Sequence, residues 1–126
     1  MNINSLDHFI AHELNREQRA AVTELRGSLL VVAGAGSGKT RIITARIAYL
    51  LVKQQVSPEA IIALTFTNKA AQEMRTRIAS FTQQENIAMP FIGTFHGYCL
   101  RLLQRNAPLM PLFPFSILDE DDRYTL

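Results

Sequence analysis

Residues 33–41 read Ala33-Gly34-Ala35-Gly36-Ser37-Gly38-Lys39-Thr40-Arg41, and they follow an apolar run from Leu29 to Val32. The run predicts a buried strand, and the apolar spacing after the glycines predicts a helix. Small residues at such a strand-to-helix turn let successive backbone N–H groups point at a polyphosphate, and a lysine places a cation on its outer phosphates. The stretch therefore predicts a phosphate-binding loop, with Ala33 at the first glycine position of the usual pattern.

The loop also assigns roles to its residues. The hydroxyl of Thr40 suits a Mg²⁺ ligand, and the helix that begins here directs its positive dipole end towards an anion. We therefore expect ATP and Mg²⁺ as cofactors, with Lys39 and Thr40 as catalytic residues and Thr40 as the metal ligand. A purely structural turn would need neither a lysine nor three glycines. All nine residues from Ala33 to Arg41 are candidate nucleotide contacts.

Composition fits one small globular piece. The chain has 126 residues, 48% of them hydrophobic, and contains no apolar span of membrane-crossing length. Its net charge is +2, with the basic excess in residues 28–112. This distribution suits an anionic ligand, although solvated helix faces give the same sum. Because neither a membrane-crossing span nor a secretory leader is evident, we expect a cytoplasmic protein without membrane contact. The single cysteine, Cys99, cannot form an internal disulfide, which fits a reducing compartment.

Apolar strands alternate with helices along the chain. This alternation predicts an α/β fold with a parallel sheet covered by helices on both faces. The predicted elements are a helix from Asn15, a strand over 28–33, a helix over 40–53, a strand over 60–66, a helix with Ala71, Met74, Ile78 and Phe81 on one face, a polar loop over 82–86, a strand over 91–93, a helix over 95–105, a proline-rich link over 108–114, an apolar segment over 115–118 and a helical end over 119–126.

Three further segments of the sequence are informative in combination with the glycine-rich loop. They read Leu14-Asn15-Arg16-Glu17-Gln18, Leu64-Thr65-Phe66-Thr67-Asn68-Lys69-Ala70-Ala71-Gln72-Glu73-Met74 and Gly93-Thr94-Phe95-His96-Gly97. With the loop, they resemble consecutive motifs of the UvrD/Rep family of superfamily 1 DNA helicases. The resemblance implies a RecA-like P-loop NTPase fold and ATP-driven 3′–5′ movement on single-stranded DNA. Unwinding of duplex junctions in repair or replication is implied with it.

The resemblance gives Gln18 a role in reading adenine, since its amide can both donate to and accept from the base edge. The alternative is a capping box, because Asn15 precedes Gln18 by three residues at a helix start. Arg41 has two interpretations as well. Its guanidinium could lie against the adenine or ribose, or it could be a solvated helix residue.

Two segments resemble the family's contacts to single-stranded DNA. The first comprises Thr65, Phe66, Thr67 and Asn68, where an aromatic face on a base is worth about 1–3 kcal/mol. The alternative makes Phe66 a core residue and Asn68 a helix cap. The second segment supplies Thr94 and His96.

Residues near these DNA-contact candidates are assigned structural roles. A stripe of Phe95, Cys99 and Leu102 on the same helix is interpreted as core. Arg75 and Arg77 are interpreted as ordinary solvated residues.

Two patterns imitate metal sites. His8 and His12 lie four residues apart beside Glu13, but a third ligand is not evident, so we assign no metal there. Residues 117–120 read Ile-Leu-Asp-Glu, which imitates an Mg²⁺-binding acidic box. We reject that interpretation because the residues that follow do not fit the family's box.

The sequence therefore predicts the N-terminal part of the first RecA-like motor domain over residues 1–126, truncated before the acidic box, the transition-state arginines and the second motor domain. In related helicases, strands absent here lie in the middle of the sheet. We expect an incomplete sheet, self-association through its exposed edges, weak Mg·ATP binding and negligible hydrolysis. The rest of the helicase chain would be its main partner. The alternatives are a nucleotide-binding module without motor activity and a P-loop small-molecule kinase.

Overall fold

The computed structural model describes residues 5–82 and 88–109, which divide into two compact units, one up to Phe95 and one from His96. None of the described helices is long and apolar enough to cross a bilayer. In chain order the elements are α1 (Ser5–His8), a π-helical turn (Phe9–Glu13), α2 (Arg16–Thr23), α3 (Lys39–Val52), a 3₁₀ turn (Pro58–Ala60), β1 (Ile62–Thr65), α4 (Asn68–Thr82), β2 (Phe91–Thr94), α5 (Phe95–Asn106) and a second 3₁₀ turn (Ala107–Leu109).

Most predicted elements are confirmed to within two residues, but the segment before the glycine-rich loop is an exception. Residues 28–33 form no strand within the described ranges, and Leu30 and Val32 are each 86% exposed. The prediction of a buried strand is wrong here. Apolar composition favours a strand, but cross-strand contacts stabilise one, and no described strand pairs with this segment. The predictions for 115–118 and 119–126, and for the acidic-box imitation, lie outside the described residues.

The sheet consists of β1 and β2, which pair in parallel with Ile62 opposite Phe91 and Thr65 opposite Thr94. Parallel neighbours need a crossover, and α4 belongs to the connection between them. Its predicted inner face is confirmed: Ala71, Met74 and Ile78 are buried, and Phe81 is half-buried. The predicted α/β class is thus confirmed in its coarser form, as a two-stranded parallel sheet with helices. Of the predicted loop over 82–86, Thr82 ends α4 and the rest lies outside the described residues.

Helix α3 contributes to two hydrophobic clusters. One side places Ile42, Ala45 and Ala48 against α1, α2 and the π-helical turn. Ile47 joins a second cluster with β1, β2 and α4. Ile43, on the same helix, is exposed. Burial on two sides fixes α3, and with it the loop from which the helix starts.

Helix α5 carries an apolar stripe without buried side chains. Phe95 and Leu102 are 48% and 43% exposed, and Cys99 is exposed as well. The interpretation of this stripe as core is therefore wrong. Helical periodicity identifies the face that could be buried, but it does not show that anything covers that face.

Candidate nucleotide-binding and DNA-binding residues

The start of α2 places Gln18 against the glycine-rich loop. The Asn15 side chain accepts from the Gln18 backbone N–H at 2.8 Å, and Gln18 Oε1 accepts from the Asn15 N–H at 3.0 Å, so the capping box is present. Gln18 Nε2 donates to the carbonyl of Ser37 at 3.3 Å. The two alternatives for Gln18 are therefore not exclusive. Its oxygen secures the helix, its nitrogen reaches the loop, and the adenine contact stays a prediction.

Two of the three loop glycines have left-handed backbone. Gly36 has φ of 73° and Gly38 has φ of 85°, values that favour glycine strongly, whereas Gly34 lies outside that region. Gly38 is the residue from which α3 starts. Ser37 closes the turn, since its N–H and its hydroxyl both donate to the Gly34 carbonyl, at 3.2 and 2.5 Å. The loop is therefore curled by its own hydrogen bonds.

The ammonium group of Lys39 lies inside this loop. Its Nζ donates to the carbonyl oxygens of Ala33 and Gly34, each at 2.8 Å. Thr40 follows at the second position of α3 and is exposed. These residues fit a polyphosphate, because an arriving phosphate oxygen can replace a neutral carbonyl as the partner of a cation already in place. Thr40 supplies one hydroxyl oxygen for Mg²⁺, which commonly takes its other ligands from phosphates and water.

The Arg41 side chain contacts two residues of the π-helical turn. Its Nη2 lies 2.6 Å from Glu13 Oε2, and its guanidinium carbon lies 4.9 Å from the centre of the Phe9 ring. Phe9 is buried. Arg41 is therefore exposed, as the solvated interpretation expects, and is also paired with Glu13; its contact with a nucleotide stays a prediction.

Two cavities adjoin the loop. One of about 200 Å³ is bordered by Gln18, Ala33 and Ser37. A second of about 320 Å³ is bordered by Lys39, Ile43 and Arg46. The first therefore lies where the Gln18 amide and the loop come together.

Sequence reasoning missed the role of Arg46. Its Nη1 donates to the carbonyls of Ala21 and Glu24, at 2.8 and 2.5 Å. These two hydrogen bonds satisfy carbonyls at the end of α2 and link α2 to α3. Nothing in the local sequence around Arg46 indicates a partner more than 20 residues away.

The carboxyl ends of β1 and β2 carry the predicted DNA contacts. Phe66 follows β1 directly and is 92% exposed, so the core interpretation of Phe66 is wrong. Thr65 Oγ1 donates to the Thr67 carbonyl at 2.9 Å and reaches the Gly93 carbonyl at 3.4 Å. Asn68 is exposed on the first turn of α4. The Thr65 hydroxyl thus spans the turn that carries Phe66 and approaches the neighbouring strand.

The cap of α4 differs from the expected one. Thr67 Oγ1 accepts from the Ala70 N–H at 3.1 Å, so Thr67 caps the helix and the alternative that assigned the cap to Asn68 is wrong. Arg75 is not a solvated residue either. It donates to the Ile92 carbonyl in β2 and to Gln72 Oε1, the latter at 3.0 Å, whereas Arg77 is exposed.

Thr94 and His96 fall in different compact units. Thr94 ends β2 and is half-buried. His96 is exposed on the first turn of α5. Their contacts with DNA stay a prediction.

The two N-terminal histidines contact each other. The ring centres of His8 and His12 lie 4.7 Å apart. Within residues 5–82 and 88–109, no three His, Cys, Asp or Glu residues gather as a metal site would require.

These features define a class: a small α/β protein in which a glycine-rich loop with an inward lysine opens a long helix. Residues 14–126 match the model of the UvrD/REP helicase N-terminal domain. The chain is 46% identical over 111 residues to a probable DNA helicase II homolog of Mycoplasma capricolum, and 45% and 44% identical over 115 residues to the ATP-dependent DNA helicase PcrA of Staphylococcus epidermidis and Staphylococcus aureus. The chain belongs to the UvrD/REP helicase family.

The match covers most of this chain but little of those relatives. It extends over 87% of the chain and 15% of the Mycoplasma protein, and over 90% of the chain and 16% of each PcrA protein. The chain therefore spans less than a fifth of the length of these relatives, and most of each relative lies beyond the matched part.

Proposed function

We propose that this chain supplies part of the Mg·ATP site and part of the single-stranded-DNA track of an ATP-dependent 3′–5′ DNA helicase. Residues 1–126 would form the N-terminal part of its first motor domain. The helicase would act in the cytoplasm on duplex junctions during repair or replication. The names of the relatives support the class of activity, and the geometry of the chain supports the roles of its residues.

In the nucleotide site, Lys39 holds the outer phosphates and the N–H groups at the start of α3 hold the others. Thr40 provides an oxygen for Mg²⁺, and Gln18 approaches the base from the same side of the loop. The support is the contact between Gln18 and Ser37, 19 residues apart, because it brings the predicted base reader to the predicted phosphate binder. Bound Mg·ATP would supply the phosphoryl group whose transfer to water drives movement.

Hydrolysis needs more than these residues. Phosphoryl transfer requires a positioned water and charge stabilisation, and an arginine finger alone is worth about 10³–10⁵ in rate. The described partners of Lys39 are backbone carbonyls. We therefore propose that the 126-residue chain binds Mg·ATP weakly, hydrolyses it negligibly, and depends on the remainder of a helicase chain for turnover.

The proposed DNA-contact residues distinguish a helicase from a small-molecule kinase. The observation that supports it best is the exposure of Phe66, since an aromatic ring with 92% exposure beside the start of a 15-residue helix suits a base on its face and phosphate near the helix N–H groups. Lys69 is exposed on the first turn of the same helix and adds a cation.

Fluorescence anisotropy with labelled oligothymidine tests this function. We expect saturable binding that weakens with salt, because phosphate contacts release counterions. Phe66→Ala should weaken binding by about 1–3 kcal/mol. Leu109→Ala is the control, since it removes another exposed apolar side chain that belongs to neither strand nor to α4. Equal affinity of the Phe66→Ala protein and the unaltered protein would contradict the proposed track.

A further inference from the structure

The rings of Phe66 and Phe95 contact each other at the carboxyl ends of the two strands. Their centres lie 5.6 Å apart and their planes are tilted by 40°. This separation lies within the range of about 4.5–7 Å that aromatic pairs favour. Helical spacing groups Phe95 with Cys99 and Leu102, but the Phe95 ring contacts Phe66, the residue that follows β1.

Backbone pairing sets the distance between these rings. Thr65 and Thr94 are register partners, and each ring belongs to the residue that directly follows its strand. The Thr65 hydroxyl also reaches the Gly93 carbonyl, which links the two strand ends. A Cβ at Gly93 would lie 2.8 Å from the Phe91 ring, so a side chain there would require that ring to move. The spacing of the pair therefore follows from the sheet.

We propose that Phe95 is a positioning residue for Phe66, holding its ring in the orientation that accepts a base of single-stranded DNA. A ring with 92% exposure has few other contacts to restrict its rotamers. Immobilising such a side chain on binding costs free energy, and a neighbouring ring that restricts it beforehand lowers that cost. This inference rests on the proposed function, since it concerns the same DNA track.

The first experiment measures how the ring of residue 66 moves in the absence of DNA. The chain contains no tryptophan, so Phe66→Trp introduces a single fluorophore at this position. We expect its time-resolved anisotropy to show greater local motion when Phe95→Leu is added. Adding Leu102→Ala, which removes an exposed apolar side chain from the same helix, should leave the motion unchanged. Unchanged motion with Phe95→Leu would overturn the inference.

The second experiment is a double-mutant cycle with labelled oligothymidine. Phe95→Leu should weaken binding about 2- to 12-fold, the size expected of an aromatic pair, and Phe95→Tyr should retain the affinity. In a Phe66→Ala background, Phe95→Leu should have no further effect. Thermal melts of each variant check that folding is retained. If Phe95→Leu loses folding, Phe95→Met, which also removes the ring, takes its place in both experiments with the same expected and contradicting outcomes.

The outcomes separate this inference from the proposed function. If Phe66→Ala weakens binding and Phe95→Leu does not, or if the two effects are additive, the positioning role is overturned and the DNA track stands. If Phe66→Ala leaves binding unchanged, both are overturned.

Discussion

The Gln18 side-chain amide donates to the Ser37 carbonyl, so a residue of α2 is hydrogen-bonded to the glycine-rich loop 19 positions later. The same side chain completes the capping box with Asn15. One glutamine therefore contributes to the cap of α2 and contacts the proposed nucleotide site, and the two contributions can be separated by substitution.

Asn15→Ala and Gln18→Ala should differ in what they change. Asn15→Ala removes the side-chain cap and should lower the free energy of unfolding by about 0.5–2 kcal/mol, with little change in the preference for ATP over GTP. Gln18→Ala should reduce that preference, because an amide that reads adenine is lost. Urea unfolding and competition with fluorescent ATP measure the two quantities. A preference unchanged by Gln18→Ala would contradict the adenine role.

Burial of α4 against the sheet gives a test of the fold. Ile78 is fully buried, whereas Ile62 on β1 is 48% exposed. Ile78→Ala should lower the free energy of unfolding by about 2–5 kcal/mol through lost transfer free energy and a residual cavity. Ile62→Ala makes the same chemical change at a more exposed position and should cost clearly less. Equal costs in urea unfolding would show that α4 does not pack as described.

The exposed segment before the loop gives a prediction about assembly. Leu30 and Val32 have no described strand beside them, and unpaired apolar strand segments promote association. We expect the 126-residue chain to self-associate with rising concentration, and the double substitution Leu30→Lys with Val32→Lys to reduce this. Sedimentation velocity measures it. A chain that stays monomeric at high concentration would contradict the prediction.

The sequence predicted the local features of this structure well and the long-range features poorly. The capping box at Asn15, the start of α3 and the inner face of α4 follow from spacing within a few residues, and all are present. The conformation of residues 28–33 cannot be predicted in this way, because apolar composition does not determine whether a partner strand lies beside the segment.

Tertiary contacts of charged and aromatic side chains also cannot be predicted from sequence spacing. The sequence pattern predicts a solvated Arg75, which in fact donates to β2. It predicts a core position for Phe95, which in fact contacts Phe66 on the surface. Both depend on which element lies opposite, which helical periodicity leaves undetermined.

The central claim is that the glycine-rich loop binds the phosphates of Mg·ATP through Lys39. Titration of the chain with a fluorescent ATP analogue, with and without Mg²⁺, tests it most directly. We expect weak, saturable, Mg²⁺-dependent binding that unlabelled ATP displaces. We also expect loss of this binding in Lys39→Ala with an unchanged melting curve, because this exposed side chain contacts backbone carbonyls of its own loop. Equal affinity of the Lys39→Ala protein and the unaltered protein would contradict the claim.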